Sequence, residues 1–451
     1  MNILILNASP KGQNSVTLQT ALYLQKRFPN QNFEILHCGR TIKKFEKNFD
    51  PAIELLRQAE LIIFTYPVFT CLAPYQLHRF IELIKQSGID LSGKFATQLT
   101  TSKHFYDMTA HKYIEENCYD LKMKYIRGLS ADMDDLQTEK GRLEADAFFE
   151  KTLFDIQNDI YKTTTGIQSA FVRQPYKYTT EPIQKRSGKD IVIVTNSSPQ
   201  DTNLVNMVTE VQNKCAYPVR VINIREYKFA GGCLGCFDCT ISGKCIYKDN
   251  FDEFLRTEIQ TADAVIYAFA IENHYTHSSF KCFDDRQFCN GHRAVTHGKI
   301  TGYIVSGDLS HEPNIQTLIE ARSEVSGMYL CGVATDEQDT QKSIDNFVTS
   351  LDYCIETKMT APKNFYGVGG IKIFRDLVYL MQGFMQADHK FYKETGVYDF
   401  PHKQKAMIWG MKMLGFMMKF EKVQKEMRKE MPKYILMPYQ KVLDNTKPKN
   451  D

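Results

Sequence analysis

The feature that most constrains this chain is a strand, turn and helix pattern that occurs twice. Residues 3–6 form a continuous apolar run, and residues 191–194 form a second one. Runs of this kind are typical of parallel strands that are buried on both faces. A polar turn follows each run, and apolar residues at helical spacing follow the turn, at Leu18, Ala21 and Leu22 in the first copy. The pattern predicts an α/β fold in which strands and helices alternate.

The correspondence between the two copies continues beyond the turns. Further predicted strands lie at 33–36, 61–64 and 95–99 in the first copy and at 219–222, 264–269 and 300–305 in the second. An offset of about 190 residues is far longer than a solenoid repeat, so it predicts a duplicated domain. Ligands are expected beyond the carboxyl ends of the strands in both domains.

The first turn contains the donors that an anion requires. Ser9 and Ser15 offer hydroxyls, Asn14 offers an amide and Lys11 offers a positive charge. The turn also leads into a helix, whose first backbone N–H groups lack partners and whose dipole favours a negative charge at that end. These residues predict a phosphate site, and the alternative is an ordinary helix cap built from the same residue types.

The turn resembles the phosphate turn S-P-[RK]-x-x-N-S of the NADPH-dependent FMN reductase and iron–sulfur flavoprotein families. In this chain the segment is Ser9-Pro10-Lys11-Gly12-Gln13-Asn14-Ser15. The resemblance implies two tandem flavodoxin-like domains, each a doubly wound parallel sheet, and FMN as the cofactor. It also implies that Ser9, Lys11, Asn14 and Ser15 bind the FMN phosphate.

Two more loops follow predicted strands of the first domain. Residues 67–80 resemble the P-x-[YF]-x-x-x-x-P-x-x-L-[KH]-x-F segment that surrounds the isoalloxazine ring in the FMN reductase family. The flavin contacts that this resemblance implies are Pro67, Val68, Phe69 and Thr70. The next loop offers the hydroxyls of Thr100, Thr101 and Ser102 to the polar side of a flavin.

The turn of the second copy is less suited to a phosphate. Ser198, Thr202 and Asn203 are candidate cofactor contacts there. However, Gln200 stands in place of the lysine of the first copy, and Asp201 adds a negative charge that opposes a phosphate. We therefore expect the first copy to be the better flavin site.

Four of the twelve cysteines are grouped in the second copy, at Cys233, Cys236, Cys239 and Cys245. Three thiols at two-residue gaps can converge from one tight loop, and a fourth can close the site. The spacing C-x₂-C-x₂-C-x₅-C is similar to the motif that holds a [4Fe–4S] cluster in the iron–sulfur flavoproteins. Free or redox-active thiols and a zinc site are the alternatives.

The repeat divides the chain into four predicted segments. They are a flavodoxin-like FMN-binding domain at 1–161, a linker at 162–188, a second flavodoxin-like domain at 189–358 and a helical C-terminal extension at 359–451. The extension has apolar residues at helical spacing from Ile371 to Met381, and methionine-rich spacing follows between Met407 and Met418. We expect these amphipathic helices to pack on the two domains or across a dimer.

Composition limits the partners and the compartment. A net charge of +3 gives no indication of a nucleic-acid surface. No signal-peptide pattern opens the chain and no run of about eighteen uncharged apolar residues occurs. A cytoplasmic protein without a transmembrane segment is expected, in which twelve cysteines do not form a disulfide framework.

The predicted function is that of an enzyme, an FMN-dependent NAD(P)H oxidoreductase of the FMN reductase or quinone reductase type. FMN would receive hydride from NAD(P)H and pass electrons, with or without the iron–sulfur cluster, to a quinone, a flavin or another small-molecule acceptor. In the family, flavins lie at dimer interfaces, so a homodimer or an internal pseudo-dimer is expected. The alternative is a non-catalytic flavin and thiol redox sensor or electron carrier.

Overall fold

The computed structural model describes residues 1–162, 171–399, 405–417, 419–423 and 426. The predicted linker and C-terminal extension are therefore described in part, because 163–170 and 427–451 lie outside the described residues. The chain forms two compact units, Met1–Tyr392 and Lys393–Asp451. Since the first unit holds both sheets, its division at residues 161, 188 and 358 stays a prediction.

The first sheet is parallel throughout the described residues. Its strands are β1 Asn2–Asn7, β2 Asn32–Leu36, β3 Leu61–Pro67, β4 Phe95–Ser102, β5 Lys124–Tyr125 and β6 Leu129–Asp132. The order is β2-β1-β3-β4-β5, and β6 also pairs with β4. This is the flavodoxin-like order, in which β2 lies on one side of β1 and β3, β4 and β5 lie on the other. Every residue of β1 after Asn2 is buried, as its continuous apolar run predicts.

The second sheet repeats the topology of the first. Its strands are β7 Ile191–Thr195, β8 Val219–Asn223, β9 Ala264–Ala270, β10 Ile300–Ser306 and β11 Tyr329–Thr335. The order is β8-β7-β9-β10-β11, so each strand occupies the place of its counterpart in the first sheet. The predicted fold class, two tandem flavodoxin-like α/β domains with a helical extension, is confirmed. The origin of the domains by duplication stays a prediction.

Helices cover both faces of each sheet. In the first domain they are α1 Val16–Arg27, α2 Cys38–Phe45, α3 Asp50–Gln58, α4 Tyr75–Ser87, α5 Asp107–Asp120 and α6 Glu139–Gln157. In the second domain they are α7 Thr202–Lys214, α8 Asp238–Ser242, α9 Phe251–Phe254, α10 Ser278–Arg286, α11 Pro313–Ser326 and α12 Thr340–Thr357. The C-terminal helices are α13 Phe365–Leu380, α14 Gln386–Glu394 and α15 Lys405–Met417.

The two domains meet through equivalent helices. Helix α4 packs on α10, and each of these follows the third strand of its domain. Helix α5 packs on α11, and each of these follows the fourth strand. One hydrophobic core continues across this boundary, from Phe80 of α4 to Phe280 of α10. Contact between like elements is the pattern of an isologous interface, here formed within one chain.

His274 joins the two domains at the edge of this interface. Its Nδ1 lies 2.9 Å from Glu312 Oε1, and its Nε2 lies 3.1 Å from Asp120 Oδ2. Burial lowers the pKa of this histidine, but hydrogen bonds and charge from the two carboxylates outweigh that effect and raise the pKa to about 10. The imidazolium therefore stabilises the contact between the domains at neutral pH.

The stability of the protein should depend on pH through His274. Because its pKa rises from 6.5 to about 10 on folding, this stabilisation is complete below pH 6.5 and is lost as the pH rises through 10. From pH 7 to 10 we expect the free energy of unfolding to fall by about 3–4 kcal/mol more in the unmodified protein than in His274→Gln. Urea unfolding at several pH values measures the difference, with the exposed His297→Gln as control. Equal pH slopes for unmodified protein and His274→Gln would contradict the prediction.

The C-terminal extension contributes to the first compact unit. Helix α13 packs on α11, and Phe374 of α13 stacks on Phe105 with ring centres 4.0 Å apart. The expectation that the extension packs on the two domains is thus met by α13. Within the described residues, no helix combines the length and the apolar character needed to cross a bilayer.

Candidate functional site

The turn between β1 and α1 has the conformation expected of an anion site. Ser9 is buried, and its hydroxyl accepts a hydrogen bond from the Lys11 backbone N–H at 3.3 Å. Residues Gly12–Asn14 form a single helical turn, after which Ser15 caps α1 by accepting from Leu18 N–H at 3.3 Å. The capping hydroxyl and the first N–H groups of α1 therefore meet at one point, where the helix dipole is positive.

The loop after β3 is held in an unusual backbone conformation. Thr70 and Cys71 both have positive φ angles, of 47° and 67°. Phe69 and Leu72 exchange two backbone hydrogen bonds, of 2.7 and 3.0 Å, across this turn. Non-glycine residues adopt such angles at a cost, so the surrounding structure must hold the loop in place.

Side chains of the second domain hold this loop. Lys281 Nζ donates to the Phe69 carbonyl at 3.0 Å, and Arg322 donates to the Thr70 carbonyl at 2.9 Å. Asp285 accepts hydrogen bonds from the Thr70 hydroxyl and, at 2.7 Å, from the Tyr75 backbone N–H. Both carbonyls therefore face the second domain.

Lys281 and Asp285 form an ion pair whose two side chains are fully buried. Burial raises the pKa of Asp285, and the Lys281 charge and hydrogen bond act in the opposite direction. Burial also disfavours the charge of Arg322, but the neighbouring Asp284 carboxylate outweighs it, so the pKa of Arg322 lies well above its usual range. The loop after β3 thus rests on a charged network that belongs to the second domain.

A single cavity of about 220 Å³ joins the loops of the first domain to the cysteine loop of the second. The predicted flavin contacts that line it are Ser9, Lys11, Ser15, Pro67, Val68, Phe69, Thr70, Thr101 and Ser102. All four predicted metal ligands also line it, namely Cys233, Cys236, Cys239 and Cys245. The structure therefore brings together two sets of residues that are at least 131 positions apart along the chain.

Two of the flavin contacts predicted in the first domain do not line the cavity. The Thr100 hydroxyl is 2.7 Å from His111 Nε2, because successive side chains of a strand point to opposite faces of the sheet. Asn14 is exposed and lies outside the lining. Thr101, on the other face from Thr100, lines the cavity, and among the described residues its buried hydroxyl has no hydrogen-bond partner. That hydroxyl is free to bind a polar edge of a ligand.

The cysteine loop packs directly against the first domain. Gly235 has a φ of +61°, and a Cβ atom there would lie 2.8 Å from Phe69 Cζ, so only glycine permits this approach. The Cys233 carbonyl accepts from Gln76 Nε2 at 3.3 Å, and Lys11 Nζ lies 5.1 Å from the centre of the Phe237 ring. The phosphate turn and the cysteine loop are thus neighbours in the fold.

Two of the four thiols have contacts with N–H donors, but burial acts against thiolate forms in this loop. Cys233 Sγ accepts a hydrogen bond from Gly235 N–H at 3.4 Å, and the Arg286 guanidinium lies 3.8 Å from Cys245 Sγ. Burial raises the pKa of the Cys239 thiol to about 12, so a positive group or a metal is needed to hold it as a thiolate. Arg286 is 1% exposed and pairs with Asp249 at 2.7 Å, which fixes its position.

In the described part of the chain, no three of these four cysteines have sulfur atoms that all lie within 4.8 Å of one another. Four cysteine thiolates are a ligand set both for a tetrahedral zinc ion and for a [4Fe–4S] cluster.

Several residues that line the cavity carry no sequence signal for it. They come from the second domain and the C-terminal extension, and include Arg286, Phe288, Cys289, His292, Phe374 and Leu377. Thr17, Lys103, Phe105 and Met133 of the first domain were also missed. Only Thr17 could have been inferred locally, because it lies in the first turn of α1; the others reach the cavity through tertiary packing.

The equivalent turn of the second domain is filled by side chains of the chain itself. Asp201 Oδ2 accepts from the Ser198 N–H at 2.7 Å and from the Ser198 hydroxyl at 2.8 Å. Asn203 donates to Asp336 Oδ2 at 2.9 Å and to the Gln174 carbonyl at 2.8 Å. Ser198 and Asn203 therefore already form hydrogen bonds within the chain, whereas Thr202 is exposed. The aspartate predicted to oppose a phosphate also takes the donors that a phosphate would use.

Comparison with known proteins relates the first domain to flavoproteins. Residues 1–124 match a family described as having a flavodoxin-like fold. An iron-sulfur flavoprotein from Archaeoglobus fulgidus is 33% identical over 96 residues, which are 21% of this chain and 42% of that protein. The chain thus spans less than half the length of this curated relative.

Similar solved structures include two quinone reductases. The match to an NADPH-quinone reductase from P. pentosaceus covers 37% of this chain and 100% of that protein, with 19% identity and a TM-score of 0.27. An NAD(P)H:quinone oxidoreductase from Methanothermobacter marburgensis is 12% identical, covers 40% of this chain and 100% of its own, and has a TM-score of 0.28.

Proposed function

Because residues 1–124 match a family described as having a flavodoxin-like fold, we propose that this protein is an FMN-dependent NAD(P)H oxidoreductase. Electrons pass from the nicotinamide cofactor through FMN to a quinone, a flavin or another small-molecule acceptor. The observation that carries the proposal is the single cavity that joins the phosphate turn of the first domain to the four-cysteine loop of the second.

The residues of the first domain fit FMN in chemistry. Ser9, Lys11 and Ser15 offer hydroxyl donors and a positive charge to the phosphate. Val68 and Phe69 provide apolar walls for a flat aromatic ring, and the unpaired Thr101 hydroxyl offers a hydrogen bond to its polar edge. When bound, FMN supplies hydride and electron transfer, while the chain binds it and excludes water.

The cysteine loop supports a [4Fe–4S] cluster. Three of its thiols follow one another at two-residue gaps, all four line one cavity, and the buried Arg286 places a positive charge near Cys245. A cluster bound there offers one-electron transfer next to the proposed flavin. The second domain would act as the other half of an internal pseudo-dimer, supplying the cluster while its own turn is filled.

The test is an anaerobic assay of NAD(P)H oxidation with menadione, FMN or an azo dye as acceptor, together with absorption spectra of anaerobically purified protein. We expect flavin bands, a broad cluster band and turnover with at least one acceptor. Protein that binds flavin but does not turn over would favour a redox sensor. Protein that carries no flavin after incubation with FMN would contradict the proposal.

Loss of donors from the phosphate turn should weaken FMN binding. The double variant Ser9→Ala with Lys11→Ala removes a hydroxyl and a charge that line the cavity. Since hydrogen bonds to charged groups contribute about 1.5–3 kcal/mol each, we expect the Kd for FMN to rise by at least about tenfold. Titration of flavin fluorescence measures the Kd. The exposed Asn14→Ala is the matched control, and equal affinity in the double variant and the control would refute the assigned phosphate site.

A further inference from the structure

Asp388 is a fully buried carboxylate on α14 that binds the loop at 291–293 of the second domain. Its Oδ2 lies 2.9 Å from His292 Nδ1 and accepts the His292 backbone N–H at 3.1 Å. Its Oδ1 lies 3.2 Å from Arg293 Nε. The C-terminal extension therefore reaches the second domain through one carboxylate that fixes one histidine ring.

The surrounding sequence allows this close contact. Gly291 has a φ of +62°, and a Cβ atom there would lie 2.3 Å from Asp388 Oδ1, so a larger residue would displace the carboxylate. Tyr392, one turn further along α14, donates its hydroxyl to the His292 carbonyl at 2.8 Å. Both the backbone and the ring of His292 are thus held by the extension.

The His292 ring lines the cavity that contains the predicted flavin contacts and the four cysteines. It packs edge-on against Phe374, with ring centres 4.6 Å apart, and Phe374 lines the same cavity. Because Nδ1 faces Asp388, Nε2 is the nitrogen that remains for a ligand in the cavity. A carboxylate on one imidazole nitrogen stabilises the imidazolium and orients the other nitrogen.

We propose that His292 is the proton donor to the electron acceptor and that Asp388 positions it. This inference rests on the proposed oxidoreductase function and takes a quinone as the class of acceptor. The net reaction is NAD(P)H + H⁺ + quinone → NAD(P)⁺ + hydroquinone. Two electrons and one hydrogen come from NAD(P)H as hydride, and the second hydrogen comes from His292.

In the proton transfer, the Nε2–H bond of His292 breaks and an O–H bond forms at a quinone oxygen. The contact between Nδ1 and Asp388 keeps the orientation of the ring throughout. Solvent then returns a proton to Nε2 and completes the cycle. General acids of this kind contribute about 10²- to 10⁴-fold to a rate.

Two acceptors with different proton requirements test the proposal in the complete protein. Menadione takes up protons when it is reduced, whereas ferricyanide takes one electron and no proton. We expect His292→Gln to lower kcat with menadione by at least about tenfold and to change kcat with ferricyanide by less than about twofold. A merely structural role for His292 would lower both rates together, and either that result or two unchanged rates would overturn the proposal.

Variants of the extension separate positioning from folding. Asp388→Asn should lower the ratio of menadione to ferricyanide turnover in the same direction as His292→Gln, because the ring loses the carboxylate that orients it. Gln386→Ala changes an exposed side chain at the start of the same helix, so its ratio should stay unchanged. An Asp388→Asn ratio equal to that of Gln386→Ala would overturn the positioning role. If the unmodified protein turns over neither acceptor, the proposed function fails; if it turns over both, only the role of His292 is in question.

Discussion

Serine in place of Cys233 is expected to remove most of the iron from anaerobically purified protein and to leave its flavin content unchanged. Cys233 lines the shared cavity and already accepts a backbone hydrogen bond at its sulfur. Three thiolates hold a four-iron cluster less firmly than four, so iron should fall from about four atoms per chain to well under one. The phosphate turn belongs to the other domain and keeps its donors.

The cluster prediction is checked by iron analysis and by the rate of electron transfer to a one-electron acceptor. Flavin reduction by NAD(P)H should continue in Cys233→Ser, while onward transfer slows. Cys331→Ser, a partly buried cysteine of β11 that does not line the cavity, is the matched control and should keep its iron. Unmodified protein that lacks iron yet transfers electrons at the same rate as Cys233→Ser would show that the loop has another role.

Alanine in place of Asp285 should cause the largest loss of stability. The Asp285 and Lys281 side chains are both 0% exposed, so the variant leaves a buried ammonium group without its counter-ion. Breaking a buried pair in this way costs about 3–5 kcal/mol. The Thr70 hydroxyl and the Tyr75 N–H also lose their acceptor, so the loop after β3 loses its attachment to the second domain.

Removal of both charges separates the electrostatic cost from the loss of the loop contacts. In Lys281→Met with Asp285→Leu no buried charge remains, and we expect most of the free energy of unfolding to return. We expect this double variant to bind FMN more weakly than the unmodified protein, because the Phe69 carbonyl and the Thr70 hydroxyl lack their partners. Urea unfolding and flavin titration measure the two effects. A double variant that is as unstable as Asp285→Ala would contradict the buried-charge explanation.

Local patterns in the sequence predict the fold and part of the candidate site. A continuous apolar run such as 3–6 fits only a strand covered on both faces, and this is the environment of β1. The turn at Ser9 and Ser15 follows from the residues that cap helices, because these act over three or four positions. The grouping of four thiols within thirteen residues likewise needs no information from the rest of the chain.

Other properties depend on side-chain direction, which local patterns leave open. Thr100 and Thr101 are alike in the sequence, but the pleat of β4 turns the first toward His111 and the second toward the cavity. Asp201 was predicted to repel a phosphate from its charge, whereas the fold shows it bound to Ser198 as an internal acceptor. Which face a residue occupies is set by the packing of the whole sheet.

The sequence by itself determined the two α/β domains, the polar turn of the first and the cysteine group of the second, because each depends on residues close together in the chain. Only the tertiary structure decided that the cysteine loop adjoins the first domain, that Lys281 and Arg322 hold the loop after β3, and that Asp388 orients His292. These contacts join positions that are about 100 to 250 residues apart, where no periodicity or spacing relates one residue to the other. They form because equivalent helices of the two domains bury a common core, and that burial fixes which loops meet.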